Sequence, residues 1–287
     1  MQIAKDTGDQ TDAESADIYG DNTGEWCFPY DDMLINDMAT AIARIYTPDG
    51  FVIAADGREA HTVTGRVRSD EEQKIFHLRH GLCDVACVVT GTARIDSKQR
   101  VYRIGAELSL AANAIAGRHV NNLGEYVELL AHHVQISPSY RAIPPNDLSR
   151  AQPTILLLDG FVAGEPMRAK AAIDHNPASK VVTVNFQGLL PGDLIAFGSR
   201  VIYESLVLNP ETIPDVLLPY RKICREKPRN MPDAIRVAQA FIQAHCDPAV
   251  RLIDPKRYAG IGGHVHVATI TSGAGFQWAI PPLHPLL

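Results

Sequence analysis

Within the stretch MATAIARIYTPDGFVIAADGREA, residues 38–60, two residues stand where they could do chemistry. Thr40 heads an apolar, strand-like run. Asp56 closes the next run sixteen residues later, with Pro48-Asp49-Gly50 turning the chain between them. A threonine hydroxyl is a weak nucleophile until a base removes its proton. A threonine that begins a chain carries its own base, because an α-amino group titrates at about 7.7–8.0, close to the optimum for proton transfer at neutral pH. Thr40 would gain that amine only if the bond after Ala39 were cut. The 39 residues before it differ from all that follow: ten acidic residues and one lysine give −9, which leaves +3 for residues 40–287 of a chain whose net charge is −6. Such a head, rich in Asp, Gly and Thr, cannot bury enough apolar surface to order itself. Its one sticky part, EWCFPYDDMLI, directly precedes Thr40. An acidic disordered tail is the plain reading of this segment, and a removable leader the functional one. Plain readings exist for the others too. Threonine favours strands, Asp56-Gly57 is a common turn pair, and Lys74 could be a solvated edge residue.

Other reactive side chains offer less. Of eleven histidines, only His132-His133 and His264/His266 form close pairs. The second pair shares one strand face and could bind a metal, but exposed strand histidines are far commoner than ligands, so no metal is expected. The five cysteines lack zinc spacing, and buried free thiols in a reducing cytoplasm suit them better. Cys27, a rival nucleophile, has no aspartate closing a strand sixteen residues on. No P-loop, dinucleotide fingerprint or H-E-x-x-H is present, so no cofactor is expected. The mild charge of the main body leaves no footprint for nucleic acid. No apolar run reaches the length needed to span a membrane, and the N-terminus is not a secretory signal.

The elements that must position Thr40 and Asp56 follow in blocks. Strands are predicted at Thr40–Tyr46, Phe51–Ala55, Lys74–Leu78 and Asp84–Thr90. Helical periodicity covers 97–117, then 122–134 with Asn122 as N-cap. Residues 137–153 read as a loop. Strands resume at 154–162, 167–174, 180–186 and 193–198, helices at 199–208 and 232–246, and a closing hairpin at 263–270 and 276–280. This order is not the alternation of a doubly wound fold. Two antiparallel sheets stacked face to face, with a helix pair outside each, would use every element: an α+β, four-layer αββα sandwich.

That order and several segments resemble the proteasome β-subunit group of N-terminal-nucleophile hydrolases, which includes the bacterial heat-shock peptidase rings. Thr40, Gly50 and Asp56 fit the group's spacing from a leading threonine. Lys74 in EEQKIFHL is similar to its lysine before an apolar strand, two residues late. VVTGTARID resembles its turn into the first long helix, FGSRVIYESL its Gly-Ser helix start, and GGHVHVATI its closing strand. There are departures. Ala39 stands where the group has glycine, its Asp and Ser before the last Gly-Gly fall near Tyr258 and Ile261, and residues 209–230 form a longer loop than usual.

The resemblance implies a removable head over 1–39 and a hydrolase domain over 40–287. It implies a threonine peptidase with Thr40 as nucleophile, Lys74 beside its hydroxyl, Asp56 holding the lysine, and Ser199 near the new amine. Amides near Thr90 and Gly91 would form the oxyanion hole, and Glu72, Phe76, Val88 and Thr92 would line the substrate pocket. Peptides or unfolded proteins would be the substrates, within a cytoplasmic ring-shaped homo-oligomer. Any ATPase would be a separate chain. The alternatives are an amidase of the same fold acting on a small metabolite, and a non-catalytic subunit.

Overall fold

The computed structural model describes residues 40–61, 66–96, 101–149, 151–191, 195–208 and 212–284. The acidic head, Cys27 included, lies outside them. Fourteen strands are described: β1 Ile42–Thr47, β2 Gly50–Asp56, β3 Glu59–Ala60, β4 Val67–Ser69, β5 Ile75–His80, β6 Cys83–Gly91, β7 Arg94–Asp96, β8 Val101–Arg103, β9 Thr154–Val162, β10 Glu165–His175, β11 Val182–Leu189, β12 Ile195–Phe197, β13 Val265–Thr271 and β14 Gly275–Ile280. The helices are α1 Ile104–Ala114, α2 Leu123–Ile136, α3 Pro138–Arg141, α4 Pro145–Leu148, α5 Arg200–Val207, α6 Leu218–Cys224, α7 Met231–Cys246 and α8 Pro255–Tyr258. None of them is long and apolar enough to cross a membrane.

Two five-stranded sheets carry the fold, ordered β12-β1-β2-β13-β14 and β11-β10-β9-β6-β5, and every pairing in them is antiparallel. Three apolar clusters define the layers. Ile42, Phe51, Ile53, Ile75, Val88, Leu157 and Ile270 interlock between the sheets. Phe76, Cys87, Leu156, Leu108 and Tyr126 join the second sheet to α1 and α2. Ala43, Val52, Val267, Leu206 and Phe241 join the first sheet to α5 and α7. The result is a four-layer αββα sandwich. Inner strands covered on both faces read as unbroken apolar runs: all seven residues of β2 are buried. The edge strand β11 instead alternates half-buried with exposed residues along most of its length, as a one-sided strand should.

One buried ionic cluster ties the sheets together. Arg44 of β1 donates to Asp159 of β9 through Nε (2.6 Å) and Nη2 (3.0 Å), and Arg168 of β10 donates to the same carboxylate at 2.6 Å. All three are fully buried. Burial alone would raise the Asp159 carboxyl, but the two guanidinium groups hold it below the usual carboxylate range.

Three segments depart from the sequence pattern. Of the predicted helix over 97–117, residues 97–100 lie outside the described set and 101–103 are extended, because Arg94–Asp96 pairs with Val101–Arg103 as a ribbon. The helix begins at Ile104. The predicted loop over 137–153 contains two four-residue helices, each opened by a proline. The predicted loop over 209–230 contains a 3-10 turn at Asp215–Leu217 and α6, which buries Leu217 and Cys224 against α7. Asn122 caps α2 as expected, its side chain accepting from the Glu125 N–H at 2.9 Å.

Candidate active site

The sixteen-residue spacing of Thr40 and Asp56 is a hairpin register. β1 and β2 turn at Pro48-Asp49 and pair from Thr47↔Gly50 to Ile42↔Ala55, so one further step sets Ala41 opposite Asp56. There the Asp56 N–H donates to the Ala41 carbonyl (3.2 Å), and the Ala41 N–H to Asp56 Oδ1 (2.8 Å). Lys74, at the entry to β5 in the other sheet, reaches across. Its Nζ donates to Asp56 Oδ1 at 2.9 Å and to Thr40 Oγ1 at 3.2 Å. Thr40 and Lys74 are each 7% exposed and Asp56 0%, so the lysine is no solvated edge residue. Asp56 Oδ2 takes the N–H groups of Arg58 (3.2 Å) and Gly262 (3.0 Å). Four donors thus meet this buried carboxylate and fix its orientation.

The loop supplying Gly262 is clamped by Arg58. Its guanidinium donates to Asp70 (2.6 Å) and to the carbonyls of Tyr258 and Ile261. Gly262 has φ +151°, and a β carbon there would lie 2.6 Å from Arg58 Cζ. Glycine is required on both counts.

Ser199 follows β12, whose Phe197 pairs with Ile42, so the register points the Gly198-Ser199 turn at the start of β1. It caps α5, accepting from the Ile202 N–H, and donates its own hydroxyl to Asp254 Oδ2 at 2.6 Å. The resemblance implies an aspartate near Tyr258, and the carboxyl that meets Ser199 is that of Asp254. The physical reason is the short helix α8: Asp254 caps it, Oδ1 accepting from the Arg257 N–H, and this turns the carboxyl back to Ser199. Tyr258 and Ile261 instead lend their carbonyls to Arg58.

Thr90 and Gly91 end β6 beside Lys74, whose carbonyl accepts from the Val89 N–H at 2.9 Å. Thr90 is buried, and its Oγ1 has no hydrogen-bond partner among the described residues. The four residues expected to line a pocket do not share a wall. Strand alternation sends Phe76 toward α1, where its ring fills the space left by Gly105, while Val88 is buried between the sheets. The Glu72 carboxylate is taken by Arg103, both oxygens at 3.0 Å, and burial raises its pKa against that cation. Thr92 is buried, its carbonyl accepting from Thr154.

Three further residues join the site that the sequence pattern did not connect with Thr40. His266 accepts the Lys74 N–H. His245, buried in α7 beneath Gly198, uses Nδ1 on the Phe241 carbonyl (2.9 Å), and its Nε2 has no hydrogen-bond partner among the described residues. Burial lowers its pKa, opposed by the Phe241 and Ser199 carbonyls and the Asp56 and Asp254 carboxylates. Cys246 follows it, its thiol pushed up by burial and by Asp56. Among the described residues no group of three or more His, Cys, Asp or Glu is placed to hold a metal ion. The nitrogens His264 Nε2 and His266 Nε2 are engaged by the Pro281 carbonyl and the Lys74 amide.

Neither the family models nor the curated proteins include a match to this chain. Solved structures do match. One is a Gly-1 mutant of Anbu from Hyphomicrobium sp. strain MC1, with 12% identity over 83% of this chain and 84% of that one, at a TM-score of 0.45.

Proposed function

We propose that the protein is a threonine-type peptidase of the proteasome β-subunit kind, activated by cleavage before Thr40. The single observation carrying this reading is Lys74 Nζ standing between Thr40 Oγ1 and Asp56 Oδ1 in a buried site. In activation, Oγ1 attacks the Ala39 carbonyl carbon, the Ala39–Thr40 C–N bond breaks, and water hydrolyses the resulting ester. Thr40 is left with a free amine, and the acidic head over 1–39 is released from the domain over 40–287. In turnover the neutral amine takes the Oγ1 proton through a water, and Oγ1 attacks the scissile carbonyl. The Lys74 ammonium, held in place by Asp56, stabilises the developing negative charge. Amides near Thr90 and Gly91 would hold the oxyanion, at about 3–4 kcal/mol per donor. The proton passes to the leaving amine, and water then hydrolyses the acyl-enzyme. Ser199, steered by Asp254, would orient the Thr40 amine.

The substrate class is peptides or unfolded protein in the cytoplasm. The working form is a ring-shaped homo-oligomer joined through α1 and α2, where Leu110 is 63% exposed, with any ATPase a separate chain. Mass spectrometry of the purified chain tests activation. The expected N-terminal residue is Thr40, and Thr40→Ala should leave the full-length chain. A Thr40→Ala protein trimmed at the same bond would assign the cut to another protease.

A further inference from the structure

Lys74 is held at its backbone as well as at its ammonium. Its N–H donates to His266 Nε2 at 3.2 Å, across 192 positions of sequence. The Lys74 carbonyl already accepts from Val89, and the β5–β6 ladder begins one residue later, at Ile75↔Val88. Without His266 this amide would be a buried donor with nowhere to go. His266 is 1% exposed on β13, and the residue before it, Val265, pairs with Asp56. One strand therefore braces the Asp56 strand and the Lys74 backbone together.

An imidazole that accepts at Nε2 carries its proton on Nδ1 and is neutral, since a doubly protonated ring would turn a donor toward the Lys74 N–H. Its surroundings keep it so. The Lys74 ammonium and the His264 ring, whose centroid lies 6.4 Å from that of His266, oppose a second proton, and the Trp278 ring closes the edge at 6.3 Å. Burial is the largest influence, and with these neighbours it takes the pKa down to about 3.

We propose that His266 is a positioning residue for Lys74: an Nδ1–H imidazole whose acceptor nitrogen sets the lysine backbone so that Nζ bridges Thr40 and Asp56. This rests on the reading of Thr40 as nucleophile. A histidine that merely fills space would be replaced equally well by a ring of similar size without an acceptor.

The test uses the full chain and the variants His266→Gln, which keeps an acceptor, and His266→Phe, which keeps a ring. His266→Phe should lower kcat on a fluorogenic peptide about 10- to 100-fold, the scale of a small misplacement in an active site, with KM little changed. Exchange of the Lys74 amide should quicken about tenfold, as expected when one buried hydrogen bond is lost. His266→Gln should recover most of both. A His266→Phe protein with parental kcat and parental Lys74 exchange would overturn the proposal, as would Gln and Phe variants equally impaired. Nitrogen NMR of the parent decides independently of any variant's folding. The Nδ1–H tautomer should persist from pH 8 to 5, and a ring that titrates near 6.5 overturns it. If the parent hydrolyses no peptide while Lys74 exchange still follows the acceptor, the peptidase reading falls and the bracing of Lys74 stands.

Discussion

The Ser199–Asp254 hydrogen bond is distinct from those that Lys74 makes to Thr40 and Asp56, so its contribution can be measured separately. Asp254→Ala should reduce peptide hydrolysis about tenfold through loss of one charge-assisted hydrogen bond, and should fray α8. Unchanged hydrolysis would remove Ser199 from the site. The Thr40 amine must be neutral to act as base, so activity should rise with pH through about 7.7–8.0. A profile flat from pH 6 to 9 would count against that base. His266 makes a prediction about stability. In the unfolded chain it takes a proton below about 6.5, while in the folded chain it stays neutral down to about 3. The unfolded state thus binds more protons, and stability is full above pH 6.5 and lost as pH falls. The loss reaches about 1.4 kcal/mol per pH unit for this ring. Urea midpoints between pH 7.5 and 4.5 should show a shallower slope for His266→Gln, and parallel slopes would contradict it. At this scale the Thr40–Asp56 spacing was legible because a hairpin register is fixed, whereas Lys74, which enters from the other sheet, was suggested only by resemblance. The sequence hid Asp254 and His266, whose partners lie 55 and 192 positions away, beyond the reach of any local pattern.

Among the elements, α1 approaches β5 closely at Gly105. A β carbon on Gly105 would stand 2.1 Å from the Phe76 ring. Gly105→Ala should therefore destabilise by about 1–3 kcal/mol, the usual cost of overpacking. Phe76→Leu in the same chain should recover part of that loss in a urea-denaturation cycle, and strict additivity would mean that the two do not meet. The inner strands were readable because they are covered on both faces and so appear as apolar runs. α1 begins later than the pattern suggests because Val101 fits the helical period of Ile104 and Leu108 while the ladder to Arg94–Asp96 keeps it extended. α6 was missed because seven residues carry too little periodicity, and the basic Arg221, Lys222 and Arg225 mask an apolar side made by Leu217 and Cys224. Two of the residues expected to line the pocket, Phe76 and Val88, stand one step apart across the β5–β6 ladder and so face opposite layers.

For the whole molecule, the ring is the boldest expectation. Sedimentation at micromolar concentration should show a species several times the 31.3 kDa chain, and Leu110→Glu should dissociate it. A single monomer peak for the parent would refute the ring without touching the chemistry at Thr40. The layer order was readable from the blocks of strands and helices, since only a sandwich buries two such sheets. The buried Arg44–Asp159–Arg168 cluster between them was not, because nothing in the surrounding runs marks three charges as mutual partners.

That cluster bears on how the molecule comes together. Arg44 belongs to one sheet, Asp159 and Arg168 to the other. A half-assembled chain with one sheet made would carry a guanidinium with no carboxylate, or a carboxylate with one cation too few, at an apolar face. Neither sheet is then a serviceable intermediate on its own. The two should appear and disappear as a single cooperative unit, with amide protons of β1 and β9 exchanging at one common rate under native conditions.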